Sequence, residues 1–321
     1  MRVLVTGANG FVGERVLQKL LGMQGGGVVA GLRRYGDLND AIVCERRVLG
    51  DLATASFSAA QLNGIDVVVH AAARVHVMQE AAHDPLGAFR AVNVAAALRL
   101  AEAAAAAGVR RFIFISSIKV NGEATLLGAP YTAEAQPAPA DPYGISKLEA
   151  ESGLRALAAA TGLEVVIIRP PLVYGPGVKA NFLSMMRWLY KGVPLPFGAI
   201  HNRRSLVALD NLVDLLVTCI DHPGAANQTF LVSDGEDLST SELLRRMGVA
   251  LGRPARLLPV PSRLLDVGAV MLGKTALAQR LCGSLQVDIG KTRELLNWTP
   301  PVSVDEALRK TAEYFLEHQV E

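Results

Sequence analysis

Tyr143 and Lys147 stand four residues apart in Tyr143-Gly144-Ile145-Ser146-Lys147. On a helix this spacing puts both on one face, with Cβ atoms about 5 to 6 Å apart. The arrangement has a use in acid–base chemistry. A phenol with a pKa of ~10 exchanges protons at neutral pH only when nearby positive charge stabilises its phenolate. Lys147 is placed to supply that charge, and Ser117, just past the run Phe112–Ser116, to hydrogen-bond the substrate oxygen that Tyr143 protonates. A Tyr and a Lys one turn apart also occur as a plain surface pair, so the chemistry depends on what lies beside them.

A cofactor turn is the natural neighbour. Gly7-Ala8-Asn9-Gly10-Phe11-Val12-Gly13 follows the apolar run Arg2–Thr6 and opens a helical pattern. Such glycines permit a tight turn and let a pyrophosphate approach the N–H groups of a helix N-terminus. Their spacing at i, i+3 and i+6 departs from the usual i, i+2 and i+5 of the dinucleotide fingerprint. The same turn without a ligand is the plain alternative. The end of the second apolar run should carry the residue that reads the adenosine ribose, an acid for NAD or a base for the phosphate of NADP. There the chain has Leu32 followed by Arg33 and Arg34, a pair suited to a phosphate. NADP(H) is therefore the favoured cofactor and NAD(H) the alternative, in which Arg33 stacks on adenine or is solvated and Asp37 reaches the ribose. Asp51 and Leu52 are placed to meet the adenine, and the small residues Ala71, Ala72 and Ala73 after His70 leave room for the cofactor at the sheet edge. No metal is expected.

The elements that must hold these residues are legible as alternation. Short Val/Ile-rich runs at Arg2–Thr6, Val28–Leu32, Val67–Ala71, Phe112–Ser116 and Val165–Arg169 predict strands buried on both faces. Helical stretches at Gly13–Leu21, Phe89–Ala107 and Tyr143–Thr161 lie between them. The fold class is α/β, a Rossmann-type doubly wound parallel sheet. After Arg169 the rhythm changes at Pro170-Pro171, Gly175-Pro176-Gly177, Pro194 and Pro196, which predicts a smaller C-terminal α/β substrate lobe. The division expected is residues 1–169 for the cofactor and 170–321 for the substrate, with one later return of the chain to the first lobe. Strands are expected near Arg204–Leu209 and Thr229–Val232, and helices at Ser239–Leu251, Pro261–Cys282 and Val304–Glu317, the first opened by a Ser239/Glu242 capping box.

Composition narrows the class further. The 321 residues, 50% apolar and 19% charged, suit one large domain or two joined ones. Thirty-two basic against 30 acidic residues leave a net charge of +2. That excludes the basic field of sequence-independent nucleic-acid binding. No uncharged apolar run reaches the roughly 18 residues of a membrane span. Cys44, Cys219 and Cys282 are odd in number and widely spaced, which fits neither a disulfide framework nor a zinc site. The expectation is a cytoplasmic protein.

Taken together, Thr6–Gly13, His70–Ala73, Asn93, Ser116-Ser117, Tyr143–Lys147, Arg169–Pro176 and a late Leu296-Asn297-Trp298-Thr299-Pro300 resemble the extended short-chain dehydrogenase/reductase family of nucleotide-sugar epimerases, dehydratases and ketoreductases. The resemblance spans about 300 residues. It implies a nicotinamide cofactor held by the first lobe, including Pro170 and Val173, and a sugar nucleotide held by the second. It also implies Ser117, Tyr143 and Lys147 as the catalytic set, with Asn93 supporting Lys147 through water. Within the sugar-nucleotide branch it places Asn181 at the diphosphate, Leu195 and Phe197 on a loop around the base, and Arg204 and Arg280 at phosphates. The family commonly dimerises through helices corresponding to Phe89–Ala107 and Tyr143–Thr161, so a homodimer is expected.

The branch is read from the residues after Ser117. The family's 4,6-dehydratases carry Asp-Glu there, because elimination needs an extra acid and base. This chain has Ile118-Lys119, so dehydration is not expected. Lys119 and Asn121 either touch the sugar or belong to a solvated loop. The segment Ser116–Glu123 resembles that of bacterial enzymes of surface-polysaccharide synthesis. The expected function is NAD(P)H-dependent reduction of a UDP-4-keto-6-deoxy-N-acetylhexosamine in such synthesis. The alternative is a UDP-hexose or UDP-N-acetylhexosamine 4-epimerase with tightly held NAD, and a third reading is a non-catalytic NADP-sensing protein.

Overall fold

The computed structural model describes residues 1–23, 26–75, 84–261, 264–265, 270–271, 279 and 281–318. Strands β1 (Arg2–Thr6), β2 (Gly27–Leu32), β3 (Glu45–Val48), β4 (Val67–His70), β5 (Arg111–Ile115) and β6 (Glu164–Arg169) form a parallel sheet in the order β3-β2-β1-β4-β5-β6. Each strand feeds two cores by turns, which is why the runs read as continuously apolar. Val3, Val5, Val67, Val69, Ile113, Val166 and Ile168 point into one core. Leu4, Val68, Phe112, Phe114, Val165 and Ile167 point into the other. Helix α1 (Phe11–Leu21) packs on the first face. The helical segment α2 (Pro85–Phe89), a π-helical turn Arg90–Ala96 and α3 (Ala97–Ala106) cover the second with α4 (Pro142–Thr161). The expected single helix Phe89–Ala107 is thus interrupted at Asn93, inside the π turn.

Past β6 the chain builds a second sheet. Strand β7 (Leu172–Tyr174) pairs in parallel with β8 (Arg204–Ala208), and β10 (Asp237–Leu238) pairs antiparallel with β8. Between them, β9 (Thr229–Leu231) returns to the large sheet as its seventh strand, in parallel register with β6. Helix α5 (Ala180–Tyr190), α7 (Thr240–Ala250) and the helix Val304–Glu317 bury Phe182, Met186, Leu244, Leu308 and Phe315 in a third core. Helix α6 (Leu209–Asp221) instead packs beside α1 on the large sheet. The Ser239/Glu242 capping box forms as the spacing predicts. The helix expected at Pro261–Cys282 lies largely outside the described residues. Among the described residues no helix is long and apolar enough to cross a membrane.

Buried polar groups tie the later chain to the sheet. Trp298 donates its indole N–H to Asp214 on α6 at 3.0 Å. Arg111 on β5 pairs with its cross-strand partner Glu164 at 2.7 Å and donates to the carbonyls of Cys219 and His222, 2.7 and 2.9 Å away at the end of α6. Replacing Arg111 by Met would strand those carbonyls without donors and is expected to cost about 3 kcal/mol. Urea denaturation checks this; a loss under about 0.5 kcal/mol, the range of an ordinary surface substitution, would contradict the tie.

Candidate active site

All seven strands of the large sheet run in one direction, so the segments leaving β1, β2, β3, β4, β5 and β6 gather at one edge. Strand order reverses between β1 and β4, the place where open α/β sheets leave a crevice for ligands. Gly7 leaves β1 with φ +66°, and a Cβ there would stand 2.7 Å from the backbone nitrogen of Ala72. A Cβ on Gly13 would stand 2.1 Å from the Gly7 carbonyl oxygen. Both positions are therefore closed to side chains, and the turn lies flat against Ala71 and Ala72. Gly10 caps α1 without a side-chain bond, Asn9 and Gly10 are exposed, and Phe11 and Val12 are half-buried. The first-turn amides of an eleven-residue helix thus face the crevice side with no side-chain acceptor at the cap, which suits a pyrophosphate.

At the end of β2, Leu32 is buried in the core, so Arg33 is the first exposed side chain there. Its guanidinium lies 3.7 Å from Asp51, which leaves β3 and also accepts from the Ala53 amide at 2.9 Å. Arg34 pairs with Asp37 at 3.1 Å, and Asp37 also accepts from the Arg34 amide, so that acid is held locally. Leu52 follows half-buried. Ala73 continues the small-residue exit from β4, and Pro170, buried after β6, accepts a bond from the Ile118 amide at 3.0 Å. Val173 packs against the first core from β7.

Ser117, Tyr143 and Lys147 converge on the β5 side of the crevice. Ser117 caps the short turn Ile118–Val120, and its hydroxyl is hydrogen-bonded to the Tyr143 phenol. Burial and the nearby Asp141 carboxylate push that phenol up to about 12, while the Ser117 bond works the other way. Asp141 is the side-chain N-cap of α4, accepting from Gly144 at 2.7 Å, and it is ion-paired with Lys119. Lys147 is buried, donates to the Ile115 carbonyl at 2.8 Å, and stands 4.5 Å above the Phe114 ring and 5.9 Å from the Tyr143 ring centre. Burial lowers it to about 7, and the Glu151 carboxylate one turn later acts against that fall. Burial and Lys147 together hold His70 neutral, lowered to about 3, with its Nδ1 bonded to Thr6 at 2.8 Å.

Asn93 does not reach Lys147 directly; its amide exchanges bonds of 2.9 and 3.0 Å with the Arg74 backbone and donates to Ser146 at 3.0 Å. Asn121 is buried, accepting from Arg169 at 3.0 Å and donating to the Thr132 carbonyl at 3.2 Å. Both ends of its amide are therefore engaged inside the protein. Lys119 pairs with Asp141 and, at 3.2 Å, Glu123. Asn181 sits half-buried in the first turn of α5. Leu195 is buried and bridged to Leu257, and Phe197 packs against the third core. Arg204 donates to the Gly283 carbonyl at 3.0 Å. Arg280 lies outside the described residues. The sequence reading gave Glu151 and Arg169 no role in the site, although Glu151 extends the Tyr143–Lys147 row by one turn and Arg169 follows four apolar residues at the end of β6.

Comparison with known proteins gives this arrangement its family. The model of the NAD dependent epimerase/dehydratase family matches residues 3–233. The chain belongs to that family. It is 49% identical over 316 residues to a UDP-glucose 4-epimerase of Vibrio cholerae, covering 98% of this chain and 95% of the relative. A UDP-glucose 4-epimerase of Mycolicibacterium smegmatis is 32% identical, with 98% of both chains covered. The solved UDP-glucose 4-epimerase of Thermotoga maritima with UDP-glucose superposes at a TM-score of 0.78, with all of both chains covered and 24% identity, a likeness of fold.

The lowered Lys147 has a measurable consequence. Between about 7 and its ordinary 10.5 the unfolded chain holds more protons at this residue than the folded chain. Its contribution to stability therefore rises with pH across that window. Urea denaturation of wild type and K147M from pH 6.5 to 9 should show the wild type gaining on the variant as pH rises; a constant or shrinking difference would contradict the burial of the ammonium.

Proposed function

We propose that this protein is a UDP-sugar 4-epimerase acting on a UDP-hexose or UDP-N-acetylhexosamine. The observation that carries the reading is the 49% identity to a UDP-glucose 4-epimerase across nearly the whole chain, joined to the convergence of Ser117, Tyr143 and Lys147. It supports this reading over the ketoreductase first expected. The positions after Ser117 offer no acid–base pair for elimination, since Ile118 is buried and Lys119 is a cation paired with Asp141.

The cradle closed to side chains at Gly7 and Gly13 fits a dinucleotide, with Gly7, Asn9, Gly10, Phe11, Val12 and Gly13 around the pyrophosphate. NAD, when bound there, supplies hydride acceptance from sugar C4 and its return to the other face. Tyr143 takes the C4 hydroxyl proton and later gives it back. Ser117 donates to the same oxygen and fixes its distance from the phenol. Lys147 supplies the positive charge without which a phenol pushed up to about 12 could not act near neutrality. Asn93 orders the π turn and Ser146 on the next turn of α4, acting on Lys147 through the helix rather than by contact.

Residues 170–321, apart from α6 and β9, form the sugar-nucleotide lobe in this reading. Asn181 and Arg204 are its polar candidates for the diphosphate, Arg280 a further one from the sequence alone, and Leu195 and Phe197 shape the floor of the loop. A homodimer through α3 and α4 belongs to the same proposal. A second reading, a ketoreductase using exchangeable NADPH, rests on Arg33 and Arg34, which leave no acid at the end of β2.

The test is conversion of UDP-glucose and UDP-N-acetylglucosamine to their C4 epimers by purified protein with no added reductant. Y143F should lower kcat by roughly 10²- to 10⁴-fold while retaining cofactor released by acid. Unchanged turnover in Y143F would overturn the assignment of Tyr143. NADPH consumption on a 4-keto sugar without epimerisation would favour the second reading.

A further inference from the structure

Glu151 is the only buried acidic side chain among the described residues, with no exposed surface. One of its oxygens accepts from Ser116 at 2.6 Å and from Arg169 Nε at 2.9 Å; the other accepts from Arg169 Nη2 at 2.6 Å and from Arg155 at 2.9 Å. Arg169 in turn donates to Asn121 at 3.0 Å. The carboxylate therefore joins four separate pieces of the site. Ser116 precedes the catalytic Ser117 on the exit from β5. Arg169 ends β6 just before Pro170. Asn121 closes the turn that Ser117 caps. Glu151 itself continues the face of α4 that carries Tyr143 and Lys147 at i and i+4.

A purely structural tie would not need a charge here, since burying an ion pair is seldom favourable by itself. The groups that face Lys147 explain the choice. On α4 they are Tyr143 and Glu151; from β4, the neutral His70; from β5, the Ile115 carbonyl and the Phe114 ring. Asp141, whose charge acts on Tyr143, is ion-paired with Lys119. Among the described residues Glu151 is the carboxylate that acts on Lys147, and it is itself paired with Arg169 and Arg155.

We infer that Glu151 is a positioning residue, the counter-charge that keeps Lys147 an ammonium under Tyr143 while its bonds to Ser116 and Arg169 hold Ser117 in register with α4. This rests on the proton transfer at Tyr143 proposed above. Burial pulls Lys147 down to about 7, and the Glu151 charge opposes that pull. As pH rises through the Lys147 midpoint the ammonium is lost and the phenolate loses support. Turnover should then fall on the alkaline side, at lower pH when Glu151 is neutral.

The test follows Lys147 directly, without a substrate. Full-length protein carrying ¹³C at lysine Cε is titrated by NMR, the Lys147 signal being identified by its loss in K147M. E151Q keeps the shape and removes the charge, and the expected result is a Lys147 midpoint lowered by about one pH unit or more, a tenfold change in its proton affinity. Because E151Q leaves Arg169 uncompensated, the neutral pair E151Q/R169Q is measured beside it and should shift the same way. In turnover of UDP-glucose the alkaline limb of kcat should move by a similar amount, with KM little changed. An unmoved midpoint in either folded variant overturns the inference, as does loss of cooperative folding in both, which would make the cluster structural only. A lowered midpoint in a protein that does not epimerise UDP-sugars upholds the role of Glu151 and removes the proposed function instead.

Discussion

Burial of one ammonium group is the constraint around which this molecule is arranged. An isolated lysine in an apolar interior costs several kcal/mol and ordinarily escapes by losing its proton. Lys147 keeps company that makes the charge tolerable: a carbonyl at the end of β5, an aromatic face 4.5 Å away, and a carboxylate one turn further along its helix. Each neighbour comes from a residue that also does something else. Phe114 belongs to the core beneath α4, Ile115 ends a central strand, and Glu151 clamps the exits of β5 and β6. The site and the fold thus share their contacts.

The parallel sheet makes that sharing possible. Strands that all run one way deliver their exits to one edge, so a glycine turn after β1, small residues after β4 and a serine after β5 become neighbours without long loops. The helix bearing Tyr143 then needs only a firm start. Asp141 provides it as an N-cap, at the expense of raising the phenol it precedes, and its pairing with Lys119 limits the negative charge left beside Tyr143. Helix α6 and β9 bring the later chain back onto the same sheet, where Arg111 and Trp298 tie it down.

Much of this was legible in the sequence wherever the signal was local. Tyr143 and Lys147 are four residues apart, the glycines are contiguous with β1, and the capping box at Ser239 is four residues long. Helix α6 escaped because it leaves β8 directly, with Ala208 at its N-cap and no side-chain cap, glycine or proline to mark the change of period. Helix α5 likewise starts without a side-chain cap after Lys179, with Ala180 at φ +55°. Glu151 was invisible for a different reason: beyond Arg155 on its own helix, its partners Ser116 and Arg169 are far along the chain, and only folding brings them together. Asn121 was left between two readings because a loop amide near Ser117 can face either way; in the fold it is buried and bonded to Arg169. At the end of β2 strand alternation buries Leu32 and leaves Arg33 exposed, as the run of apolar residues followed by two arginines implies.

The central claim is that Ser117, Tyr143 and Lys147 serve an inversion at sugar C4 in which the hydrogen removed is the hydrogen returned. Incubating the protein with UDP-glucose bearing deuterium at C4, in ordinary water and without added reductant, tests this most directly. The account predicts UDP-galactose with the deuterium still at C4 and no exchange with solvent. Loss of the label to water, or an absolute need for stoichiometric NADPH, would contradict it.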